Sequence, residues 1–260
     1  MISISVVSHT QLHLIHVLLE DIKQYCVADH LEVILTLNLA EKLPFNLQDF
    51  PFTVKIITNA APKGFAANHN AAFAQAQGEF FCVVNPDIRL KGDPFPALMQ
   101  CLLEQNAGVA APLILNEQGK VEDSARAFPT PLSLLGKALG LRTQLDYAIG
   151  NQLLFPDWLG GMFLLFPSVV FRKMGGFNER FFLYYEDVDL CARLFLSGYR
   201  AVLNPAVPVI HEARRASHRN FKYLRWHLAS MTRFIFSRVF LKTQWRRFCK
   251  STDRQCRTLK

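Results

Sequence analysis

The chain has 260 residues, 50% of them apolar and 19% charged, with a net charge of +8. That is ample for one large core, or for one domain with an appendage, and argues for a globular soluble protein. Residues 159–171, the most apolar run, are too few to span a bilayer and include Pro167, and the six cysteines have no CxxC spacing, so a membrane-spanning chain, a zinc site and a disulfide scaffold are all disfavoured.

Residues 2–7 form a short, alternating β-branched run that reads as a buried strand, followed by Ser8-His9-Thr10 as a turn and helix cap. Met1 leads directly into this strand with neither a basic region nor a cleavage site, and the cysteines read as reduced core residues, so a cytoplasmic location is expected. Residues 12–25 place apolar side chains at helical spacing. His13 and His16 on that helix lack a third ligand and receive no role. Strands follow at 31–37 and 52–57, joined by a polar, proline-containing connection. Pro62-Lys63-Gly64-Phe65-Ala66-Ala67-Asn68-His69-Asn70 then reads as a glycine-bearing loop opening an alanine-rich helix. Strand, glycine loop and helix together make a phosphate-binding arrangement, or equally a helix packed closely on a sheet through small residues. Residues 79–84 are nearly all apolar, as in a central strand of a mostly parallel sheet, and end in Asn85-Pro86-Asp87. Ligands bind beyond the carboxyl ends of such strands, which points Asp87 towards a metal or a diphosphate.

A helix at 94–105, a strand at 108–115 and a hairpin turn at Asn116-Glu117-Gln118-Gly119 come next. Residues 128–150 show no firm period and read as a mobile substrate loop. The stretch from Gly175-Gly176-Phe177 through Glu186-Asp187-Val188-Asp189-Leu190 sets four acidic residues, Glu179, Glu186, Asp187 and Asp189, in an apolar, aromatic neighbourhood. Glu186 and Asp187 open a helix ending at Gly198, with Leu190, Cys191 and Leu194 on its buried side. Asp187 lies three and four residues before Leu190 and Cys191 and so shares their inward face, making it the better general-base candidate. Asp189 stands four residues before Arg193, a spacing that suits a surface ion pair. Strands at 199–203 and 207–210 lead to His211, which at a strand end is either a ligand or structural.

From His211 onward there are fourteen Lys and Arg against Glu212 and Asp253, a net +12 that leaves −4 on the first 210 residues. Leu224, Leu228, Met231, Ile235 and Val239 trace one face of a helix whose other face is basic, with aromatics between. This reads first as a segment attaching to an anionic membrane surface and second as a helix packed on the body; no nucleic-acid motif accompanies it.

Lys63 to Asn70, Asn85-Pro86-Asp87, and the stretch from Gly175 through Cys191 together resemble family-2 inverting glycosyltransferases of GT-A fold, in the bacterial rhamnosyltransferase-like branch. The resemblance covers roughly residues 2–211. It implies an α/β fold, with a mixed, mostly parallel sheet flanked by helices over 1–212 and a basic helical tail over 213–260. It further implies that Asp87 and His211 hold a divalent cation, Mg or Mn, at the diphosphate of a nucleotide-sugar donor carrying dTDP or UDP. Ser8, Asn59, Gly64, Asn68 and Asn85 would surround the nucleotide. Trp158, Gly160 and Gly161 would line the sugar and acceptor pocket, and Asp187, with Glu186 beside it, would deprotonate an acceptor hydroxyl. Such an enzyme moves a sugar, L-rhamnose in this branch, onto a cell-surface polysaccharide or lipid-linked acceptor from the inner face of the cytoplasmic membrane. Two departures stand out: the second strand ends in Asn38-Leu39-Ala40 where relatives place an aspartate, and the DxD element begins with Asn85. The altered DxD keeps a non-catalytic sugar-nucleotide-binding module in view. A nucleotidyltransferase is weaker, because Ser8-His9-Thr10 supplies no basic triphosphate loop.

Overall fold

The computed structural model describes residues 1–130, 136, 145–212 and 221–258. Most of the expected loop at 128–150 therefore lies outside the described residues.

An eight-stranded sheet runs in the order β3-β2-β1-β4-β9-β6-β10-β5. Its parallel half consists of β1 (Ile2–Ser8), β2 (Leu31–Leu37), β3 (Thr53–Thr58) and β4 (Phe80–Val84). The strand β9 (Phe163–Pro167) enters antiparallel between β4 and β6 (Ala107–Asn116), and β10 (Arg200–His211) lies parallel to β6. The short β5 (Ile88–Arg89) closes the edge antiparallel to β10, and β7 (Ala125–Arg126) pairs with β8 (Trp158–Leu159) in a separate ribbon.

Alternation along β1 explains why helices cover both of its faces. Ile2, Ile4 and Val6 meet α1 (Leu12–Tyr25) through Ile15, Leu18, Leu19 and Ile22. The other face carries Ser3 and Ser5, which are buried but bonded: Ser3 Oγ donates to Glu32 at 2.6 Å, and Ser5 Oγ lies 2.8 Å from His69 Nδ1. Buried hydroxyls with partners avoid the cost of lost hydration. On that side α2 (Phe65–Phe73) packs across β1 and β2, and Phe81, Phe166, Phe171 and Phe177 form a cluster of tilted and edge-on rings. The helix α3 (Phe95–Glu104) covers β6, and α4 (Ser168–Lys173) follows β9.

The two expected strands near 199–210 are one strand, β10, with a register shift between Asn204 and Pro208. The bulge absorbs Pro205 and Pro208, neither of which can donate to a ladder. The helix α5 (Glu186–Leu196) matches expectation, with Gly198 left-handed beyond its end.

Asp189 departs from expectation. It is 1% exposed, and its partner Arg193 sits 2.7 Å away while also donating to the carbonyls of Met174 and Gly176. It is a buried clamp tying α5 to the Gly175-Gly176 turn, and the i,i+4 spacing alone cannot distinguish that from a surface pair.

The face expected to run unbroken from Leu224 to Val239 belongs to two helices, α6 (Phe221–Ile235) and α7 (Arg238–Thr258). The break falls at Phe236-Ser237, where Ser237 Oγ accepts the Phe240 N–H at 3.0 Å and so caps the new helix. Both helices pack on the body: Phe234 and Phe240 are buried beside Tyr185 and α5, and Thr243 is buried with them. Their outer surface carries Phe221, Leu224, Phe236, Leu241, Trp245 and Phe248, all more than half exposed.

Cys82, Cys101 and Cys191 are buried and Cys249 is exposed, all free thiols. Among the described residues no helix is long and apolar enough to cross a membrane.

Candidate active site

A cavity of about 940 Å³ opens between the carboxyl end of the central strands and the C-terminal helices. Its floor is Asn85, Gly160, Gly161, Met162, Glu186 and Asp187, and one wall is Leu228, Met231 and Ile235 of α6. The segment expected as a tail thus shapes the same cavity as the expected base.

Asp187 is fixed by local chain geometry. Tyr184 and Tyr185 both take φ of +69°, in the left-handed region where side-chain-bearing residues are uncommon. Two such residues in succession turn the chain sharply into α5, and strained backbone of this kind is held only by surrounding structure. Tyr185 is buried against Phe234, and Ser230 Oγ donates to the carbonyl of Leu183, so α6 helps to hold the turn. Asp187 Oδ1 accepts the Val188 N–H at 2.8 Å and Oδ2 accepts the Gly161 N–H at 3.0 Å. At Gly161 a Cβ would come within 3.2 Å of the Phe65 ring, so the glycine lets the β8–β9 turn approach both α2 and the carboxylate.

Burial pushes the proton affinity of Asp187 up, and the amides of Val188 and Gly161 and the charge of Arg126 partly offset it. Glu186 is 4% exposed, one of its oxygens is buried without a partner, and burial and then the neighbouring Asp187 charge push its carboxyl well above the usual range. Glu186 therefore keeps a proton more readily, and Asp187 is the member of the pair that ionises first. Arg126 is the one Lys or Arg among the described residues lining the cavity, against Asp123, Asp146, Glu186 and Asp187. It pairs with Asp123 at 2.9 Å and its guanidinium lies 5.3 Å over the Trp158 ring, whose Nε1 donates to Ala127.

The other expected site residues fall into two groups. At the ends of β1, β2 and β3, Asn38, Asn59 and Asn68 form one network: Asn59 Nδ2 donates to Asn38 Oδ1 at 2.8 Å and to Asn68 Oδ1 at 2.7 Å, while Asn38 grips both the N–H and the carbonyl of Lys63. Ser8 is buried, donates to Glu41 and accepts the Gln11 N–H. The three asparagines are committed to shaping the 59–64 loop, and Ser8 to the 8–11 turn and Glu41. Gly64 is needed for contact: a Cβ there would stand 2.3 Å from the Phe182 carbonyl oxygen, and the next amide, Phe65 N–H, donates to that oxygen at 2.9 Å. The loop is thereby joined to the turn that carries the base.

Asp87 and His211 form the second group. Pairing of β5 with β10 sets His211 opposite Ile88, and the Glu212 N–H donates to the Asp87 carbonyl at 2.8 Å. His211 Nε2 is 3.3 Å from Asp87 Oδ2, and its Nδ1 is 2.7 Å from Glu122 Oε2. Burial alone would lower the imidazole's proton affinity, but hydrogen bonds and charge from Asp87 and Glu122 outweigh it and lift the pKa to about 9. Asp87 Oδ1 is buried and has no hydrogen-bond partner. An unsatisfied carboxylate oxygen beside an imidazole is what a divalent cation with oxygen and nitrogen ligands requires, so the residues present fit one. Among the described residues no cluster of three or more His, Cys, Asp or Glu is arranged to hold a metal by itself.

Sequence reasoning brought Asp187, Glu186, Asn85, Trp158, Gly160 and Gly161 to one cavity and Asp87 to His211. It missed Arg126, Glu122 and the hub role of Asn38, none of which stands in a motif whose spacing signals it.

A profile of the family described as Glycosyl transferase family 2 matches residues 3–159. The chain is 28% identical over 193 residues to the rhamnosyltransferase WbbL of Escherichia coli (strain K12), covering 70% of this chain and 73% of that protein. It is 30% identical over 196 residues to the N-acetylglucosaminyl-diphospho-decaprenol L-rhamnosyltransferase of Mycobacterium tuberculosis (strain CDC 1551 / Oshkosh), covering 67% of this chain and 63% of that protein. Among solved structures, GalNAc-T7 with UDP, GalNAc and Mn2+ superposes with a TM-score of 0.64 at 13% identity, over 89% of this chain and 47% of that one. The last likeness concerns the fold, which is GT-A.

Proposed function

Because the chain belongs to glycosyl transferase family 2, we propose that it transfers L-rhamnose from dTDP-rhamnose, with inversion, to a hydroxyl of a lipid-linked or polysaccharide acceptor. The observation that carries the reading is Asp187, anchored by the Gly161 amide on the floor of a 940 Å³ cavity and with its proton affinity raised by burial. A carboxylate so placed is more basic than an exposed one, as a general base requires. The acceptor hydroxyl gives its proton to Asp187 as its oxygen attacks the anomeric carbon from the face opposite the leaving nucleotide. Glu186 keeps its proton and lowers the charge crowded at that point.

The 59–64 loop, shaped by Asn38, Asn59 and Asn68 and joined through Gly64 to the base turn, meets the nucleotide with its backbone beside Ser8, and Asn85 sits where donor and acceptor sites adjoin. Asp87 and His211 would hold the divalent cation, which would supply positive charge opposite the departing diphosphate. Trp158, Gly160 and Gly161 border the sugar, and the apolar wall from α6 suits the greasy side of a lipid-linked acceptor. The exposed aromatic and basic surface of α6 and α7 seats the protein on an anionic bilayer at the inner face of the cytoplasmic membrane.

A thermal-shift panel of dTDP-, UDP- and GDP-sugars with and without Mn2+ tests the donor, since a ligand of the folded state raises Tm by mass action. The expected result is a shift with dTDP-rhamnose that grows with Mn2+, and slow release of dTDP when acceptor is absent. Shifts only with UDP- or GDP-sugars would replace the donor, and release of pyrophosphate would replace the reaction class.

A further inference from the structure

We infer that Glu122 is a positioning residue that sets His211 to present Nε2 to a divalent cation shared with Asp87. This rests on the cation role proposed for that pair and adds a residue outside every motif of the sequence.

Neutral imidazole offers one N–H donor and one lone pair, and which nitrogen is which depends on the partner at the other side. Glu122 Oε2 lies 2.7 Å from Nδ1, and a carboxylate there can only accept, so it holds the proton on Nδ1. A cation that displaces the Nε2 proton then meets the lone pair on Nε2, the nitrogen 3.3 Å from Asp87 Oδ2, on a carboxylate whose Oδ1 is buried without a partner. Carboxylate, imidazole and cation in this order are a recurrent way of orienting a metal-ligating histidine.

The backbone fixes Glu122 as firmly as it fixes the ligands. Glu122 N–H donates to the Ile114 carbonyl at 2.9 Å, next to the Leu115–Val121 bridge that closes the hairpin after β6. β6 pairs in parallel with β10, setting His211 opposite Asn116. Three consecutive strand ends thus place Glu122, His211 and Asp87 in a row. The Glu122 and His211 side chains are 24% and 13% exposed, so water competes weakly for the Nδ1 proton.

Mn2+ affinity, read by electron paramagnetic resonance on the full chain with and without dTDP, tests the assignment independently of turnover. Glu122→Ala should weaken Mn2+ binding by roughly 10–100-fold, the usual consequence of losing such a partner. Glu122→Gln, whose amide oxygen still accepts from Nδ1, should stay within about three-fold of the parent. Unchanged Mn2+ affinity in Glu122→Ala overturns the inference, and so does an equal loss in both variants, which would make Glu122 a direct ligand. If the parent binds dTDP but no Mn2+, the inference falls while the transferase reading survives. If it binds neither, both fall.

Discussion

Asp187→Asn is the sharpest test of the site, because the replacement is nearly isosteric and the wild-type contacts are few and known. Asparagine keeps one oxygen, enough to accept from Gly161 or from Val188 but not both, so one hydrogen bond of about 1 kcal/mol is at risk. Against that, the variant no longer buries a charge whose proton affinity the fold has raised, a gain of opposite sign. Tm and Mn2+-dependent nucleotide binding should therefore stay close to those of the parent. Turnover should not: removal of a positioned general base costs roughly 10²–10⁴-fold, about 2.7–5.4 kcal/mol of barrier. The assay is initial-rate transfer at saturating donor, with nucleoside diphosphate release followed in parallel. If Asp187→Asn folds, binds nucleotide and turns over within about three-fold of the parent, a base of this kind is not in use at that position. The pH profile provides an internal control, since kcat/KM of the parent should fall as pH drops through the raised pKa of the carboxylate pair, and that acid limb should be lost in the variant.

Glu186→Gln mimics the protonated acid and should lower kcat/KM at neutral pH by less than about ten-fold, so a loss matching that of Asp187→Asn would show that ionised Glu186 takes part. His69 is buried on Ser5 and its pKa is pushed down to about 3 by burial, below its unfolded value. The unfolded chain then binds the extra proton between about pH 6.5 and pH 3, so this residue should cost about 1.4 kcal/mol of stability per pH unit as pH falls through that window. His69→Gln should flatten that slope in urea melts taken from pH 7 to pH 4, and an unchanged slope would remove His69 from the account. Trp245→Ala combined with Phe248→Ala removes two exposed aromatics from α7 and should cut co-sedimentation with phosphatidylglycerol vesicles several-fold while leaving Tm within about 2 °C. Equal sedimentation of the two proteins would argue against bilayer docking through this face.

Most of the fold was legible because its signals are local. Residues 12–25 carry apolar side chains at a helical period, and 31–37 and 79–84 are mostly apolar runs of strand length, as buried parallel strands are. The errors share a cause: they concern what a side chain meets far away in sequence. The spacing of Asp189 and Arg193 is the same for a surface pair and for a buried clamp, and only the carbonyls of Met174 and Gly176 decide it. Likewise the apolar period through Leu224 to Val239 continues across a helix break, because Ser237 can cap without disturbing it. At the site, Asp187 was readable from its place three and four residues before Leu190 and Cys191. Glu122 was not, since its meaning comes from His211, 89 residues later. The asparagines were found as a set, but their use in shaping Lys63 depends on Asn38, a position where the sequence suggested only a departure.

The clamp at Asn70 bears on how this enzyme comes into being. Its side chain accepts the Phe177 N–H and donates to the Phe177 carbonyl, 107 residues further along. During synthesis at roughly 5–20 residues per second, the first glycine loop must wait about 5–20 seconds before the segment that completes it has been made. Until then the nascent chain has β1 to β4 and α2 but not the turn that bears Asp187, the residue proposed as base. The second glycine turn is thus held by a side chain from the first third of the chain, made long before it.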